Sequence, residues 1–347
     1  MLIKKARFNP SVLLWVIVCL FSFMTVIMMV PALLVKKIPD AAESSYIVQP
    51  NSSGESAVPS VMIPVYLSRQ EKVETVPLEK YVRGVIAAEM PAEFELEALK
   101  AQAMASRTYI VRRIIEQDFS NVPVKNAWVT DTIAHQAYAD EEELKARWGS
   151  ESYPVNMDKI NRAVEETKDL ILTYENKPIY ATFFSTSNGY TENSEDYWPE
   201  SIPYLRSVAS PWDVQQSPKY KVTTALSSKE VAQKLGISTI SPTSGRSKEM
   251  RVLEWTTGHR IKKMSVGGKT LTGREVREKL ELASSQFDWK WDGTKIEFTT
   301  YGYGHGVGLS QYGANGMAKE GKKAEEIVAY YYKGIAISKA SGILPGL

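Results

Sequence analysis

The 347-residue sequence predicts an α+β fold: a mixed, two-lobed extracytoplasmic domain behind a single N-terminal transmembrane helix. Three observations carry that prediction. An apolar run fills 11–35, long enough to cross a bilayer as a helix. From residue 61 onward, strand-like and helix-like segments mix without the regular βαβ alternation of a doubly wound sheet. Between about 220 and 300, short hairpins and short capped helices replace the longer helices, as in a smaller lobe inserted into the main one. Composition agrees. With 44% hydrophobic and 24% charged residues, wholesale disorder is excluded, and a net charge of +2 makes no case for nucleic acid as a partner.

Residues 1–10, with Lys4, Lys5 and Arg7, read as a short cytoplasmic tail. A cleaved signal peptide would have a shorter apolar region and small residues at its cleavage site, and "MMVPALLVKK" offers none. A lipoprotein would place a small residue before its cysteine, but Val18 precedes Cys19. The run 11–35 therefore reads as an uncleaved anchor, with the body outside the membrane. The sole cysteine, Cys19, lies in that anchor, so the body has no disulfide, no thiolate nucleophile and no thiolate metal ligand. Residues 36–60, rich in Ser, Pro, Gly and Ala, read as a tether. The folded domain then runs over 61–340.

"VMIPVYLSRQEKVETVPL" predicts two strands and a turn. "LEKYVRGVIAAEM" predicts a helix that stops at Pro91, because proline pushes the residue before it out of the helical region. "EFELEALKAQAMASRTYIVRRIIEQ" predicts a second helix, with an apolar stripe of Leu96, Leu99, Ala103 and Ile110. "AHQAYADEEELKARWG" leads into a helix, "NMDKINRAVEETKDLIL" predicts another, and "YENKPIYATFFSTSNGYT" a hairpin and loop. In the inserted lobe, "SSKEVAQKL" carries a helix N-cap, "MRVLEWTTGHRIKKMSVGG" reads as a hairpin, and "TGREVREKL" as a capped helix. Near the C-terminus, Gly302, Gly304, Gly306 and Gly308 alternate with Tyr301, Tyr303, His305 and Val307. If extended, one face would be bare glycine, open to close approach by backbone or ligand, and the other aromatic plus His305. The spacing fails the dinucleotide pattern and lacks the lysine of a phosphate loop.

Glu89 is the residue most suited to acid–base chemistry. Ala87, Ala88, Met90 and Pro91 surround it without a charge, so a dry pocket would raise its pKa. A solvated charge at a helix end is the plain alternative. Lys100 and Arg107, about two turns apart, share one face of the following helix and are candidates for holding an anionic or hydroxylated ligand. A solvent-facing strip explains them equally well. Ser187, Asn188 and Tyr190 in "FFSTSNGYTENSEDYW", together with His305, Gln311 and Tyr312, offer hydroxyls, amides and rings of the kind that suit carbohydrate, with an ordinary polar loop as the plain alternative. His259 reads as a turn residue and His135 as a structural hydrogen-bonder.

Together the blocks "YVRGVIAAEMPAEFELEALKAQAMASRTY", "STSNGYTENSEDYW", "GYGHGVGLSQYGANGMAKEG" and "AEEIVAYYYKGI" resemble the stage II sporulation protein D family of endospore-forming bacteria. The resemblance implies a lytic transglycosylase anchored in the mother-cell membrane and facing the septal wall. It would act on peptidoglycan glycan strands during forespore engulfment, preferring strands already stripped of stem peptides. The implied partners are an amidase, stage II sporulation protein P, and a membrane protein, stage II sporulation protein M. The family's catalytic glutamate falls on Glu89, and basic residues of its first block fall on Lys100 and Arg107. A hydrolase normally needs two carboxylates, and Glu192 and Asp196 are the candidates for a second one. A lytic transglycosylase works with one. The competing reading is a non-catalytic wall-binding scaffold that recruits and activates the amidase. Two departures matter. Some relatives bind zinc through a cysteine and a histidine; here Thr130 stands in the cysteine's place beside His135, so no metal or other cofactor is expected. Where relatives often have Gly-Gly, this chain has Asn188-Gly189, with Asn188 able to take a left-handed turn.

Overall fold

The computed structural model describes residues 61–238, 240 and 250–344. The tail, anchor and tether expected over 1–60 lie outside the described residues. Among the described residues, no helix is long and apolar enough to cross a membrane.

Strands β1 (Met62–Leu67) and β2 (Lys72–Pro77) form an antiparallel hairpin, and α1 (Leu78–Glu89) starts directly after Pro77. The α1 stripe Leu78, Tyr81, Val82, Val85 and Ile86 recurs at helical spacing and is buried. Met90 is extended (φ −122°, ψ 143°), as a residue before proline must be, and so ends the helix. Helix α2 (Leu96–Glu116) runs through the core; its alanines let α1 and later helices pack close. Strand β3 (Val129–Thr130) joins β1 in parallel.

Helix α3 (Glu141–Glu165) is capped by Asp140 and kinked at Gly149 (φ 70°), where the two expected helices meet. It stops four residues before strand β4 (Leu170–Tyr174). The sequence pattern carried this helix on through "DLIL". Asp169, at φ 64°, breaks it, and "LILTY" pairs with β5 (Lys177–Pro178) instead. Strand β6 (Phe183–Phe184) and helix α4 (Trp212–Gln216) follow.

The described residues within 221–301 build the lobe. It contains β7 (Lys221–Ser227), α5 (Ser228–Leu235), β8 (Met250–Trp255), β9 (Ile261–Val266), β10 (Lys269–Thr272), α6 (Gly273–Leu280), β11 (Phe287–Asp292) and β12 (Lys295–Tyr301). Its two sheets, ordered β10-β9-β8 and β11-β12-β7, enclose an apolar core of their own around Leu235, Met264, Phe287 and Phe298. Ser227 caps α5, and Thr272 with Glu275 forms a reciprocal capping box on α6.

The chain then returns through β13 (Leu309–Ser310), α7 (Gln311–Lys319), α8 (Ala324–Tyr331) and β14 (Ala336–Lys339). β14 pairs with β4, and β13 pairs in parallel with β6, so the C-terminal helices share the core of α1 and α2.

The alternating glycines are not a strand. Gly302, Gly304, Gly306 and Gly308 have φ of 80°, 115°, 90° and 82°, conformations that side chains avoid. A Cβ on Gly308 would stand 2.2 Å from the Thr182 carbonyl oxygen, and one on Gly306 2.5 Å from Arg260 Cζ. The glycines thus admit the neighbouring chain and a guanidinium, not a ligand lying along an extended face.

Candidate active site

Glu89 is the last residue of α1, where the helix leaves carbonyls unpaired and carries partial negative charge. Arg147 from α3 satisfies one of those carbonyls, donating from Nη1 to Ala87 O at 3.2 Å. Glu89 Oε1 accepts the Ala137 N–H at 2.9 Å, and Oε2 accepts from Gln311 Nε2 at 3.4 Å. Next to Ala137, Gln136 is fixed by the Tyr81 hydroxyl of α1, which donates to its Oε1 at 3.2 Å. Among the described residues Glu89 makes no ion pair. Burial pushes its pKa above the ordinary glutamate value and outweighs the two hydrogen bonds, which pull it down.

The partners of Glu89 come from far along the chain. Pairing of β6 with β13 sets Phe184 against Ser310 and delivers Gln311 as the first residue of α7. Ser310 caps that helix through Gly313 N–H and donates its hydroxyl to Asp213. Asp213 is a fully buried carboxylate that also accepts Ser187 N–H at 2.7 Å and Ser210 Oγ–H at 2.6 Å. One carboxyl group therefore ties the hydroxyl loop to the start of α7. Tyr312 N–H donates to Ser185 O at 3.1 Å, and its ring meets Phe94 edge-on at 4.8 Å. Asn315 Oδ1 accepts Glu95 N–H at 2.8 Å, so α7 also grips the segment between α1 and α2. Gln311 and Tyr312 are thus brought to Glu89 and the turn that follows it.

The other expected ligand-binding residues are placed elsewhere. Arg107 is fully buried: Nη2 and Nε bond Glu79 at 2.6 and 3.0 Å, and Nη1 donates to Leu170 O at 3.1 Å. Glu79 lies in the first turn of α1, about 15 Å along the axis from Glu89. Arg107 therefore anchors the helix that carries Glu89 and does not face the ligand, because its donors are spent inside the core. Lys100 is half-buried and bridges Glu97 and Glu166, each at 3.2 Å. Ser187 is buried, with N–H and hydroxyl committed to Asp213 and Ser210 O. Asn188 Nδ2 donates to Gly258 O at 2.8 Å and to Gln286, fastening the loop to the lobe. Gly189 (φ 107°), not Asn188, takes the positive dihedral. Tyr190 is exposed, its ring 4.6 Å from that of His259.

His305 accepts Val307 N–H on Nδ1 and is also bonded to the Phe183 backbone. The rings of Phe184, Tyr197 and Trp198 each lie 5.6 Å from it. Burial, aided by the Arg277 and Arg260 guanidinium groups, pushes its pKa down to about 3, so it is a neutral wedge. Glu192 pairs with Arg260 at 3.0 Å and Asp196 with Lys262 at 3.3 Å; neither contacts Glu89.

Thr130 Oγ1 lies 2.9 Å from His135 Nδ1, and His135 Nε2 lies 3.2 Å from Ser120 O. A neutral hydroxyl and one imidazole do not make a zinc donor set. Among the described residues there is no cluster of three or more His, Cys, Asp or Glu that would hold a metal ion.

Sequence reasoning missed two groups. Ala137 contributes only its backbone N–H, which leaves no trace in side-chain pattern. Asp213 stands in "SPWDVQQ", in the first turn of the short helix α4, where a single acid gives no sign that three donors will converge on it.

The family model for Stage II sporulation protein matches residues 66–174, which hold Glu89 and Ala137. Stage II sporulation protein D of Bacillus subtilis (strain 168) is 48% identical over 329 residues, 92% of this chain and 94% of that protein. The chain belongs to the stage II sporulation protein D family. The protein of the same name from Bacillus amyloliquefaciens is 51% identical over 82% of this chain and 80% of its own length. A Bacillus subtilis protein named Amidase enhancer is 28% identical over 74% of this chain and 40% of that protein. Membership makes this a sporulation protein.

Proposed function

We propose that the chain is a lytic transglycosylase that cleaves peptidoglycan glycan strands with Glu89 as its one acid and base. The observation that carries the reading is a partly buried carboxyl group, its pKa raised by burial, with both oxygens held and no ion pair among the described residues. A raised pKa favours the protonated form that a general acid needs.

In the proposed step Glu89 donates that proton to the glycosidic oxygen as the bond from the anomeric carbon breaks. The carboxylate then takes the proton of the same sugar's 6-hydroxyl, and that oxygen closes onto the anomeric carbon as a 1,6-anhydro ring. No water is consumed, and Glu89 is returned protonated. Because the nucleophile belongs to the reacting sugar, proximity replaces a second carboxylate. Gln311 and Ala137 N–H orient the carboxyl group, and Tyr312 borders the site.

The biological setting we propose is the mother-cell membrane during forespore engulfment. An N-terminal anchor would hold the body outside, with stage II sporulation proteins P and M as partners and stripped glycan strands as preferred substrate. A second reading, a wall-bound scaffold that activates an amidase, is favoured by the relative named Amidase enhancer. Glu89→Gln separates the two. The enzyme reading predicts loss of glycan cleavage by at least about a thousandfold, roughly 4 kcal/mol of barrier, with glycan binding kept. Amidase activation by a protein that never cleaves glycan supports the scaffold instead.

A further inference from the structure

The turn 136–139 is fastened along α1, the helix that ends in Glu89. Ala137 N–H donates to Glu89 Oε1 at 2.9 Å, and Ala139 N–H donates to Gly84 O at 3.2 Å. The Tyr81 hydroxyl donates to Gln136 Oε1 at 3.2 Å. Between these bonds the Tyr138 ring stacks on Tyr81, with centroids 5.7 Å apart and planes 12° from parallel. Tyr81 and Gly84 are three residues apart, so they share the helix face that the ring covers.

Gly84 makes room for that ring. It stands inside α1, where glycine is a poor helix former and needs a packing reason. A Cβ there would lie 2.3 Å from Tyr138 Cε2 and 2.8 Å from Ala139 O. Carbon atoms ordinarily meet at about 3.5 Å, so a side chain at 84 would push ring and turn outward by about 1 Å. The Ala137 bond, at 2.9 Å, would not survive such a shift, because a good N–H···O bond ends near about 3.2 Å. Tyr138 N–H donates to Asp131 O at 3.1 Å, and Asp131 in turn accepts the Ser68 hydroxyl at 2.6 Å. That anchor ties the turn to β1; the ring decides how closely it approaches α1.

Tyr138 is 5% exposed, and its hydroxyl has no hydrogen-bond partner among the described residues, so its contribution is the ring itself. Beside the ring a cleft of about 460 Å³ opens between α1 and α3, lined by Leu144, Tyr153 and Met157 among others. A displaced ring can swing into it, so a side chain at 84 moves the ring without breaking the helix.

We infer that Tyr138 is a positioning residue for the general acid: its ring, seated on Gly84, sets the Ala137 N–H against Glu89 Oε1. The inference rests on Glu89 being the acid of the proposed reaction and adds the residue that aims it. The short bond to Oε1 leaves Oε2, with its longer 3.4 Å contact to Gln311, as the oxygen that carries the proton. Glu89 has no ion pair among the described residues, and Arg147 is taken by Ala87 O and Glu143. Tyr81, which feels Glu89 through space, stays neutral because burial pushes its pKa up. The titration of Glu89 therefore reports its burial and its two hydrogen bonds.

The test labels the full chain, in detergent micelles, with glutamate carrying carbon-13 at Cδ. Glu89 is the signal that Glu89→Gln lacks. The Ala137 bond lowers the pKa of Glu89, so its loss raises it. Gly84→Ala and Tyr138→Leu, checked for folding by circular dichroism, are expected to move the titration up by about half a pH unit or more. Both should cut kcat for glycan cleavage about tenfold and leave KM within about threefold. Tyr138→Phe keeps the ring and should do neither. An unmoved titration in either folded variant overturns the inference, as does an equal shift in Tyr138→Phe or a moved titration with unchanged kcat. A wild-type chain that cleaves no glycan brings down the glycan reading instead, while the titration still judges whether Tyr138 holds Glu89.

Discussion

Arg107→Met separates a residue that holds the fold from one that holds the substrate. The guanidinium is fully buried, and its pair with Glu79 spans 2.6 Å; the Glu79 side chain is 25% exposed. Removing one member of a buried pair costs about 3–5 kcal/mol, because the partner is left as an uncompensated charge. Partial exposure of Glu79 lets water recover some of that, which points to the lower end. Leu170 O also loses its donor, adding about 1 kcal/mol. The expected loss is therefore about 3–4 kcal/mol, a large share of a typical total of about 5–15 kcal/mol. With a urea slope of about 3 kcal/mol/M, the midpoint falls by about 1 M. Adding Glu79→Leu removes the stranded charge and recovers at least half the loss. Glycan binding per folded molecule stays near wild type. An unchanged midpoint combined with lost glycan binding refutes this reasoning and returns Arg107 to the substrate.

Three further outcomes follow from the same geometry. Because folding raises the pKa of Glu89, the ionised side chain destabilises the fold above the ordinary glutamate pKa. Glu89→Gln should therefore match wild type in urea midpoint at about pH 4 and exceed it at pH 8, by about 1.4 kcal/mol for each unit of elevation. Equal midpoints at both pH values contradict a buried acid. Gln311→Ala removes a hydrogen bond that lowers the Glu89 pKa, so the alkaline limb of the pH–rate profile should move up while kcat falls about tenfold. An unshifted limb argues that Gln311 does not touch the carboxylate. Gly306→Ala forces a side chain onto a positive φ and into the Arg260 guanidinium, with an expected loss of about 2–4 kcal/mol by calorimetry.

What is legible in sequence divides by range. The end of α1 at Glu89 is legible because Pro91 acts on its immediate neighbour, and the caps on α5 and α6 are legible because they act over three residues. The strand at Leu170–Tyr174 is not, since "DLIL" suits either structure and only pairing with β5 and β14 decides it. Alternating glycines mimic a strand's period of two. Their positive dihedrals serve close packing against 182–188 and Arg260, which no local pattern announces. Lys100 and Arg107 share a helical face as their spacing requires, but spacing cannot say whether that face meets solvent, ligand or Glu79. The site itself joins residue 89 to residues 137 and 311. Of these, Glu89 and Gln311 stand out in their motifs, whereas a backbone N–H at Ala137 cannot.

The most direct measurement is glycan cleavage in water enriched in oxygen-18, with peptide-free strands and mass spectrometry of the new ends. The account predicts anhydro ends that are one water lighter than reducing ends, carry no heavy oxygen, and vanish in Glu89→Gln. Reducing ends that carry oxygen-18 would contradict it, because water, not the sugar's own hydroxyl, would then be the nucleophile.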